Sequence, residues 1–120
     1  MSDFLKLVRR RRSCRNYDET QPVPDHVLEH CIEAARLAPS ACNRQPWQFN
    51  IVRNAETRHS LIDKGLLPGI KHDWLYNCPC LVALAITPGF VTHWLAPLIS
   101  RIPYHYIDAG IAGEHFILAA

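Results

Sequence analysis

Five arginines crowded into seven positions form the first group of residues whose type and spacing could do chemistry. In an extended chain, the alternating residues Arg11, Ser13 and Arg15 would face the same side. One guanidinium group can bind two phosphate oxygens at once, and a serine hydroxyl adds a neutral donor. This spacing therefore suits a phosphate clamp. A nucleic-acid patch or localisation signal and a solvated helix end stay open as alternatives. The five arginines are Arg9, Arg10, Arg11, Arg12 and Arg15.

A second polar stretch, APSACNRQPW, occupies residues 38–47. It holds two prolines, several hydrogen-bonding side chains and a tryptophan. A helical pattern ends where it begins and an alternating pattern starts where it finishes, so we predict a loop between a helix and a strand. Such loops aim polar groups at ligands from a rigid scaffold. The stretch is either a cradle for a flat, polar cofactor or an ordinary proline-punctuated turn.

Histidine, cysteine and serine patterns give little support to a metal site or a side-chain nucleophile. His26 and His30 have a spacing that can hold zinc, but no metalloprotease motif surrounds them. The CPC sequence at 78–80 has neither the spacer of a redox motif nor the second pair of a zinc knuckle. Ser40 lacks a glycine-flanked elbow. We therefore expect no metal and no catalytic side chain, and we interpret Asp108 as a helix-start residue.

Hydrophobic periodicity and capping signals predict four helices and two strands around these stretches. The helices cover residues 2–12, 24–37, 55–64 and 107–120, and the strands cover 47–53 and 80–86. Residues 90–103 are either a short helix or a lid. Two strands are too few for an independent sheet, so we expect the sheet partner to come from another chain or from residues outside this sequence.

Length and composition limit the class of protein. The 120 residues carry a net charge of +2 and are 48% hydrophobic, which is typical of one globular domain and gives no strong nucleic-acid signal. No secretory signal or apolar run of membrane-spanning length is visible. Five scattered cysteines suit reduced thiols. We predict a single domain over residues 1–120, a cytoplasmic location, and neither a membrane nor a nucleic-acid partner.

Several motifs, in this order and over nearly the whole chain, resemble the nitroreductase family. RRSCRNY at 11–17 resembles its opening R-x-S-x-R, and EAARLAPS at 33–40 with NRQPW at 43–47 resembles its second signature. CPCLV at 78–82 has a proline where the family has one before its central strand. IDAGIA at 107–112 resembles the later D-A-G helix start.

The resemblance implies an α+β nitroreductase-like fold, with a central, mainly antiparallel sheet flanked by helices in a domain-swapped homodimer. It also implies that the C-terminal part of the family domain lies outside this chain. FMN would bind at the subunit interface, and NADH or NADPH would reduce it. The acceptor would be a nitroaromatic, a quinone or a similar conjugated molecule, in a ping-pong cycle. A catalytically impaired flavin-binding or assembly module of the same fold is the alternative.

By motif position, Arg11 and Ser13 would contact the phosphate and ribityl chain, and Arg15 the pyrimidine edge of the ring. Residues of the other subunit would pack on or bond to the flavin, namely Pro39, Ser40, Ala41 and Asn43, while Gln45 would support the loop. Residues 90–106, with Trp94, would form part of the substrate wall. The cofactor-binding residues that the resemblance implies are Arg11, Arg12, Ser13, Arg15, Pro39, Ser40, Ala41, Asn43 and Gln45.

Overall fold

A computed structural model describes residues 2–67, 69, 72–87, 89, 95, 98 and 101–120. Its elements are α1 (Asp3–Arg10), α2 (Asp25–Arg36), a 3-10 turn (Ala41–Asn43), β1 (Trp47–Val52), α3 (Ala55–Gly65), a second 3-10 turn (Asp73–Asn77), β2 (Leu81–Ile86) and α4 (Tyr104–Ala119). The chain divides into two compact units. The first contains residues 1–24 and 51–83, and the second contains residues 25–50 and 84–120.

The first unit begins with α1 and contains α3. Ser2 caps α1 by accepting the Leu5 N–H, and Asn54 caps α3 by accepting the Thr57 N–H at 2.9 Å. These side chains satisfy donors that a helix start leaves without intrahelical partners. Ser2 and Asn54 are the capping residues at the starts of the predicted helices 2–12 and 55–64. Residues 11–24 contain no helix or strand, so the first helix ends at Arg10, two residues before the end of the predicted range 2–12.

The second unit is built on α2 packed against α4. The apolar stripe predicted for α2 supplies Leu28, Cys31 and Ala35 to the core. Ala35 and Ala112 are fully buried. Small side chains at these positions allow two helices to approach closely, and His115 on α4 adds a contact from its Nδ1 to the Ala34 carbonyl at 3.2 Å. This pair of helices is the platform for the loop that follows α2.

β1 and β2 form an antiparallel two-stranded sheet. The Thr87 N–H donates to the Pro46 carbonyl at 2.7 Å and closes the pair where β1 begins. On the sheet face next to α4, the ring of Phe49 stacks on Phe116 with centroids 5.3 Å apart. Both strands lie where the hydrophobic pattern predicts them, to within one residue.

Two details differ from the sequence-based expectations, which were that Asp108 starts a helix and that Gly110 and Gly113 allow close packing. Helix α4 begins at Tyr104, so Asp108 lies inside the helix rather than at its start. A Cβ at Gly110 would meet nothing within 4 Å, and one at Gly113 only the Leu84 side chain at 3.8 Å, so neither glycine is required by close packing. The predicted short helix or lid at 90–103 lies mostly outside the described residues.

Candidate functional site

The loop between α2 and β1 has an unusual backbone. Cys42, Asn43 and Gln45 have φ values of 52°, 52° and 47°, in the left-handed region. For a residue with a Cβ this conformation costs roughly 1–2 kcal/mol, and such positions persist only where surrounding contacts hold them. Three such residues fall within four positions, so contacts with the rest of the chain must hold this loop in shape.

Hydrogen bonds inside the loop all return to Ser40, Ala41 or Asn43. The Asn43 N–H donates to the Ser40 carbonyl at 2.9 Å, and the Arg44 N–H donates to the Ala41 carbonyl at 3.2 Å. The Gln45 N–H donates to the Ser40 hydroxyl at 2.8 Å, and the Gln45 side-chain amide donates to Asn43 Oδ1 at 2.9 Å. Ser40 thus organises the turn, and the Gln45 side chain supports the loop.

Helix α4 anchors this loop through one buried carboxylate. Asp108 is 3% exposed, and its Oδ1 accepts the Ala41 N–H at 3.0 Å. The sequence alone places Asp108 at a helix start and gives no hint that it reaches a loop 67 residues earlier. The sequence feature that singles it out is its place in the IDAGIA motif, where its neighbours are apolar or small and a buried carboxylate would need a hydrogen-bond partner.

A cavity of about 270 Å³ lies where the loop meets β1. Ile32 and Arg36, one turn apart on α2, line one side, and Trp47 and Phe49, alternate residues of β1, line the other. Gln45 completes the lining. Glu33 holds the Arg36 guanidinium through two contacts of 2.7 Å, and this arginine keeps the pKa of the Glu33 carboxyl below its ordinary value.

The arginine-rich segment, residues 11–15, lies in the first unit and is exposed throughout. Arg11 ends α1 with an extended backbone, at φ −52° and ψ 132°. The Arg12 side chain folds back and donates from Nη1 to the carbonyls of Arg9 at 2.6 Å and Arg11 at 2.8 Å. Its positive charge is favourable there, because the C-terminal end of α1 carries the negative end of the helix dipole. In the described part of the chain, the guanidinium groups of Arg11 and Arg15 have no hydrogen-bond acceptor.

A second group of polar residues in the first unit was not anticipated from the sequence. Arg58 on α3 is 5% exposed and donates from Nη1 to the Cys78 carbonyl. Burial raises the pKa of the Cys78 thiol, and the positive charge of Arg58 acts in the opposite direction. Nearby, Tyr17 stacks on Trp74 with centroids 5.8 Å apart, and burial raises the pKa of the Tyr17 hydroxyl. Arg58 joins α3 to the segment before β2, which is a structural role.

The two predicted groups of cofactor-binding residues therefore fall in different units. Arg11, Arg12, Ser13 and Arg15 follow one another along an exposed segment of the first unit. The second group lies together in and just before the strained loop of the second unit, and comprises Pro39, Ser40, Ala41, Asn43 and Gln45. Trp94 lies outside the described residues. Among the residues that the structure describes, no three histidine, cysteine or acidic side chains cluster as metal ligands would.

Comparison with known proteins shows which family the chain resembles. The Nitroreductase family model matches residues 8–120. A proposed NADH dehydrogenase/NAD(P)H nitroreductase of Archaeoglobus fulgidus is 46% identical over 122 residues, which cover 100% of this chain and 62% of that protein. The chain thus spans less than two thirds of the length of this relative.

Solved structures agree on the fold. A nitroreductase family protein from Clostridium novyi NT superposes with a TM-score of 0.81 at 19% identity, over 98% of this chain and 63% of that one. A nitroreductase with bound FMN from Desulfitobacterium hafniense DCB-2 superposes with a TM-score of 0.74 at 28% identity, over 100% of this chain and 65% of that one. The helices and the antiparallel strand pair have the nitroreductase fold, and the chain belongs to the nitroreductase family.

Proposed function

We propose that this chain forms part of an FMN-dependent oxidoreductase that uses NADH or NADPH. The observation that carries the proposal is the strained loop of residues 40–45, held by Asp108, in a chain of the nitroreductase family. Strained backbone that neighbouring contacts hold in place is common where a protein is shaped for a ligand. The FMN-bound relative from Desulfitobacterium hafniense supports FMN as that ligand.

The residues of the arginine-rich segment fit the phosphate end of FMN. Arg11 and Arg15 are exposed, and in the described chain their guanidinium groups make no hydrogen bond or salt bridge. Arg11 and Ser13 would bind phosphate and ribityl oxygens through charge-assisted hydrogen bonds. Arg15 would place a positive charge at the pyrimidine edge of the ring, which gains negative charge on reduction. Arg12 contributes positive charge nearby, while its Nη1 stays on the end of α1.

The loop of residues 40–45 would bind the flat part of the cofactor. Two of its donors, the backbone N–H of Cys42 and the side-chain Nδ2 of Asn43, have no acceptor in the described chain. Pro39 and the methyl group of Ala41 would pack on the ring, and Ser40 and Gln45 hold the loop in shape. FMN, when bound, supplies the hydride and electron transfer between NAD(P)H and a nitroaromatic, quinone or similar acceptor, with the donor leaving before the acceptor binds.

A homodimer with FMN at the interface is part of the proposal. Helix α1 has no buried residue, and its Phe4 and Leu7 are 66% and 43% exposed. On α4, Ile107 and Ile117 are each 50% exposed. We infer that the exposed apolar side chains of each helix contribute to an interaction surface. Among the described helices none is long and apolar enough to cross a membrane, and we propose a cytoplasmic enzyme.

Reconstitution with FMN tests the function directly. We expect the protein, mixed with FMN and freed of excess, to retain flavin absorbance bands and to oxidise NADH or NADPH when a quinone or nitroaromatic acceptor is added. Retained flavin without turnover would support the catalytically impaired binding module instead. Absence of both binding and turnover would contradict the proposal. Salt-dependent DNA or RNA binding in an anisotropy titration would point to the nucleic-acid alternative for the arginines.

A further inference from the structure

The carboxylate of Asp108 is placed to control the loop of residues 40–45 rather than to touch a ligand. It projects from the fifth residue of α4 and is 3% exposed. Its Oδ1 accepts the Ala41 N–H at 3.0 Å. A hydrogen bond from a backbone N–H to a carboxylate is stronger than one between neutral groups, and burial strengthens it further.

The hydrogen bonds within the loop depend on where this contact holds the chain. The Ser40 carbonyl, the Ser40 hydroxyl and the Ala41 carbonyl accept the N–H groups of Asn43, Gln45 and Arg44. All three acceptors belong to Ser40 or Ala41, the two residues joined by the peptide bond whose N–H donates to Asp108. Within the described chain, the Asp108–Ala41 bond is the hydrogen bond that joins this loop to another element.

The same contact limits which loop groups can donate to a ligand. With its N–H held by Asp108, Ala41 cannot donate to a ligand. The Ser40 hydroxyl already accepts from Gln45, and the Asn43 Oδ1 accepts from the Gln45 amide. In the described chain the Cys42 N–H and the Asn43 Nδ2 donate to no acceptor, and the Ser40 O–H can still donate although its oxygen accepts from Gln45. A shift of Ala41 would change both the number and the direction of these donors.

We propose that Asp108 is a positioning residue that sets the left-handed loop conformation and, through it, the affinity for the polar edge of a planar cofactor. The cofactor part of this statement rests on the proposed FMN function. The positioning part concerns this chain alone and holds with or without FMN. Asp108 acts through Ala41 and makes no contact with the cofactor in this scheme.

Amide hydrogen exchange of the flavin-free protein tests the positioning part. In Asp108→Leu we expect the amides of Ala41, Asn43 and Gln45 to exchange at least tenfold faster than in the unaltered protein. The amides of Ala35 and Ala112, in the core of α2 and α4, should change far less, because the loss is local. Asp108→Asn keeps an acceptor oxygen without the charge, and should give rates between the two.

Glu114→Leu is the matched control, since Glu114 is exposed on the same helix. It should leave the loop amides unchanged. A general loss of stability would instead speed exchange at Ala35, Ala112 and the loop together, and that result would overturn a positioning role. Unchanged Ala41 exchange in Asp108→Leu would overturn it as well. If Asp108→Leu does not fold, the comparison of Asp108→Asn with the unaltered protein decides the question.

FMN titration by fluorescence quenching tests the cofactor part. We expect the dissociation constant to rise about fivefold in Asp108→Asn and more than tenfold in Asp108→Leu, in the same order as the exchange rates. Equal affinity in all three proteins, with altered loop exchange, would overturn the link to the cofactor. If the unaltered protein does not bind FMN, the proposed function fails, while the exchange rates still decide whether Asp108 positions the loop.

Discussion

The hydroxyl of Ser40 accepts the backbone N–H of Gln45 at an Oγ–N distance of 2.8 Å. This bond closes the turn across the left-handed residues Cys42 and Asn43. Gln45 is itself left-handed, with φ 47°. The hydroxyl therefore helps to hold a turn that contains two left-handed residues and ends on a third.

Replacement of Ser40 should measure this bond. Ser40→Ala removes the acceptor and should lower the free energy of unfolding of the flavin-free protein by about 1 kcal/mol, the typical worth of such a hydrogen bond. Ser40→Thr keeps the hydroxyl on an extended backbone that suits threonine, and should lose less than half as much. Urea unfolding of both variants gives the comparison. Equal losses would show that side-chain volume, not the hydroxyl, matters at this position.

Glycine at position 42 should stabilise the loop. Cys42 is exposed and has φ 52° and ψ 27°, a conformation that costs a residue with a Cβ roughly 1–2 kcal/mol. Glycine avoids this cost but loses about 0.5–1 kcal/mol through the greater freedom of the unfolded chain. We expect Cys42→Gly to raise the free energy of unfolding by up to about 1 kcal/mol. Cys42→Ala keeps the Cβ and should stay within about 0.5 kcal/mol of the unaltered protein.

The arginines near the N-terminus should differ in their effect on FMN retention. Arg11→Ala removes one arm of the proposed phosphate clamp and should weaken FMN binding about tenfold or more, since a charge-assisted contact contributes about 1.5–3 kcal/mol. Arg9→Ala removes a like charge from α1, outside the proposed clamp, and should change binding less than threefold, about 0.65 kcal/mol. Equal losses in a fluorescence titration would mean that the cluster acts only as diffuse charge.

Arg58 should matter more for folding than any exposed cation of the same helix. Arg58→Ala leaves the Cys78 carbonyl without its donor and opens a cavity, so we expect a loss of about 2–4 kcal/mol in the free energy of unfolding. Lys64→Ala, at an exposed position on α3, should change it by less than about 0.5 kcal/mol. A small effect of Arg58→Ala in denaturant titration would argue against a structural role.

Stability should fall at alkaline pH because of two buried thiols. Burial raises the pKa of Cys31 and of Cys78 above the ordinary thiol value. Above the unfolded pKa, about 8.5, the unfolded chain binds fewer protons than the folded one, so the free energy of unfolding decreases as pH rises towards the folded values. Below that pH the contribution is fully present. Urea unfolding under reducing conditions from about pH 7.5 to 9.5 should show this slope.

A double variant provides the control for this slope. Cys31→Ala combined with Cys78→Ala should be less stable at every pH but should show a flatter pH dependence. An identical slope in both proteins would assign the alkaline loss to other groups.

Alkylation should also discriminate the cysteines, since Cys14 and Cys42 are exposed while Cys31 and Cys78 are buried. The buried pair should react only as the protein unfolds.

Periodicity and capping signals in the sequence predicted the local elements, and the resemblance of its motifs predicted the family. The stripe of Leu28, Cys31 and Ala35 repeats at helical spacing, and each of these residues is buried. Asn54 caps α3 as its position predicts. These features depend on neighbours within a few residues, so the sequence displays them directly. The motifs at 11–17, 33–47 and 107–112 identified the nitroreductase family, which the family match confirms.

Only the tertiary structure decided how the loop is held and which polar groups are buried. Asp108 and Ala41 lie 67 positions apart, and no local pattern links a carboxylate in a helix to one backbone N–H. The burial of Arg58 likewise depends on where the Cys78 carbonyl comes to lie. Left-handed backbone at Cys42 and Gln45, neither of them glycine, contradicts local preference. Such conformations need contacts from distant residues, and those contacts exist only once the chain has folded.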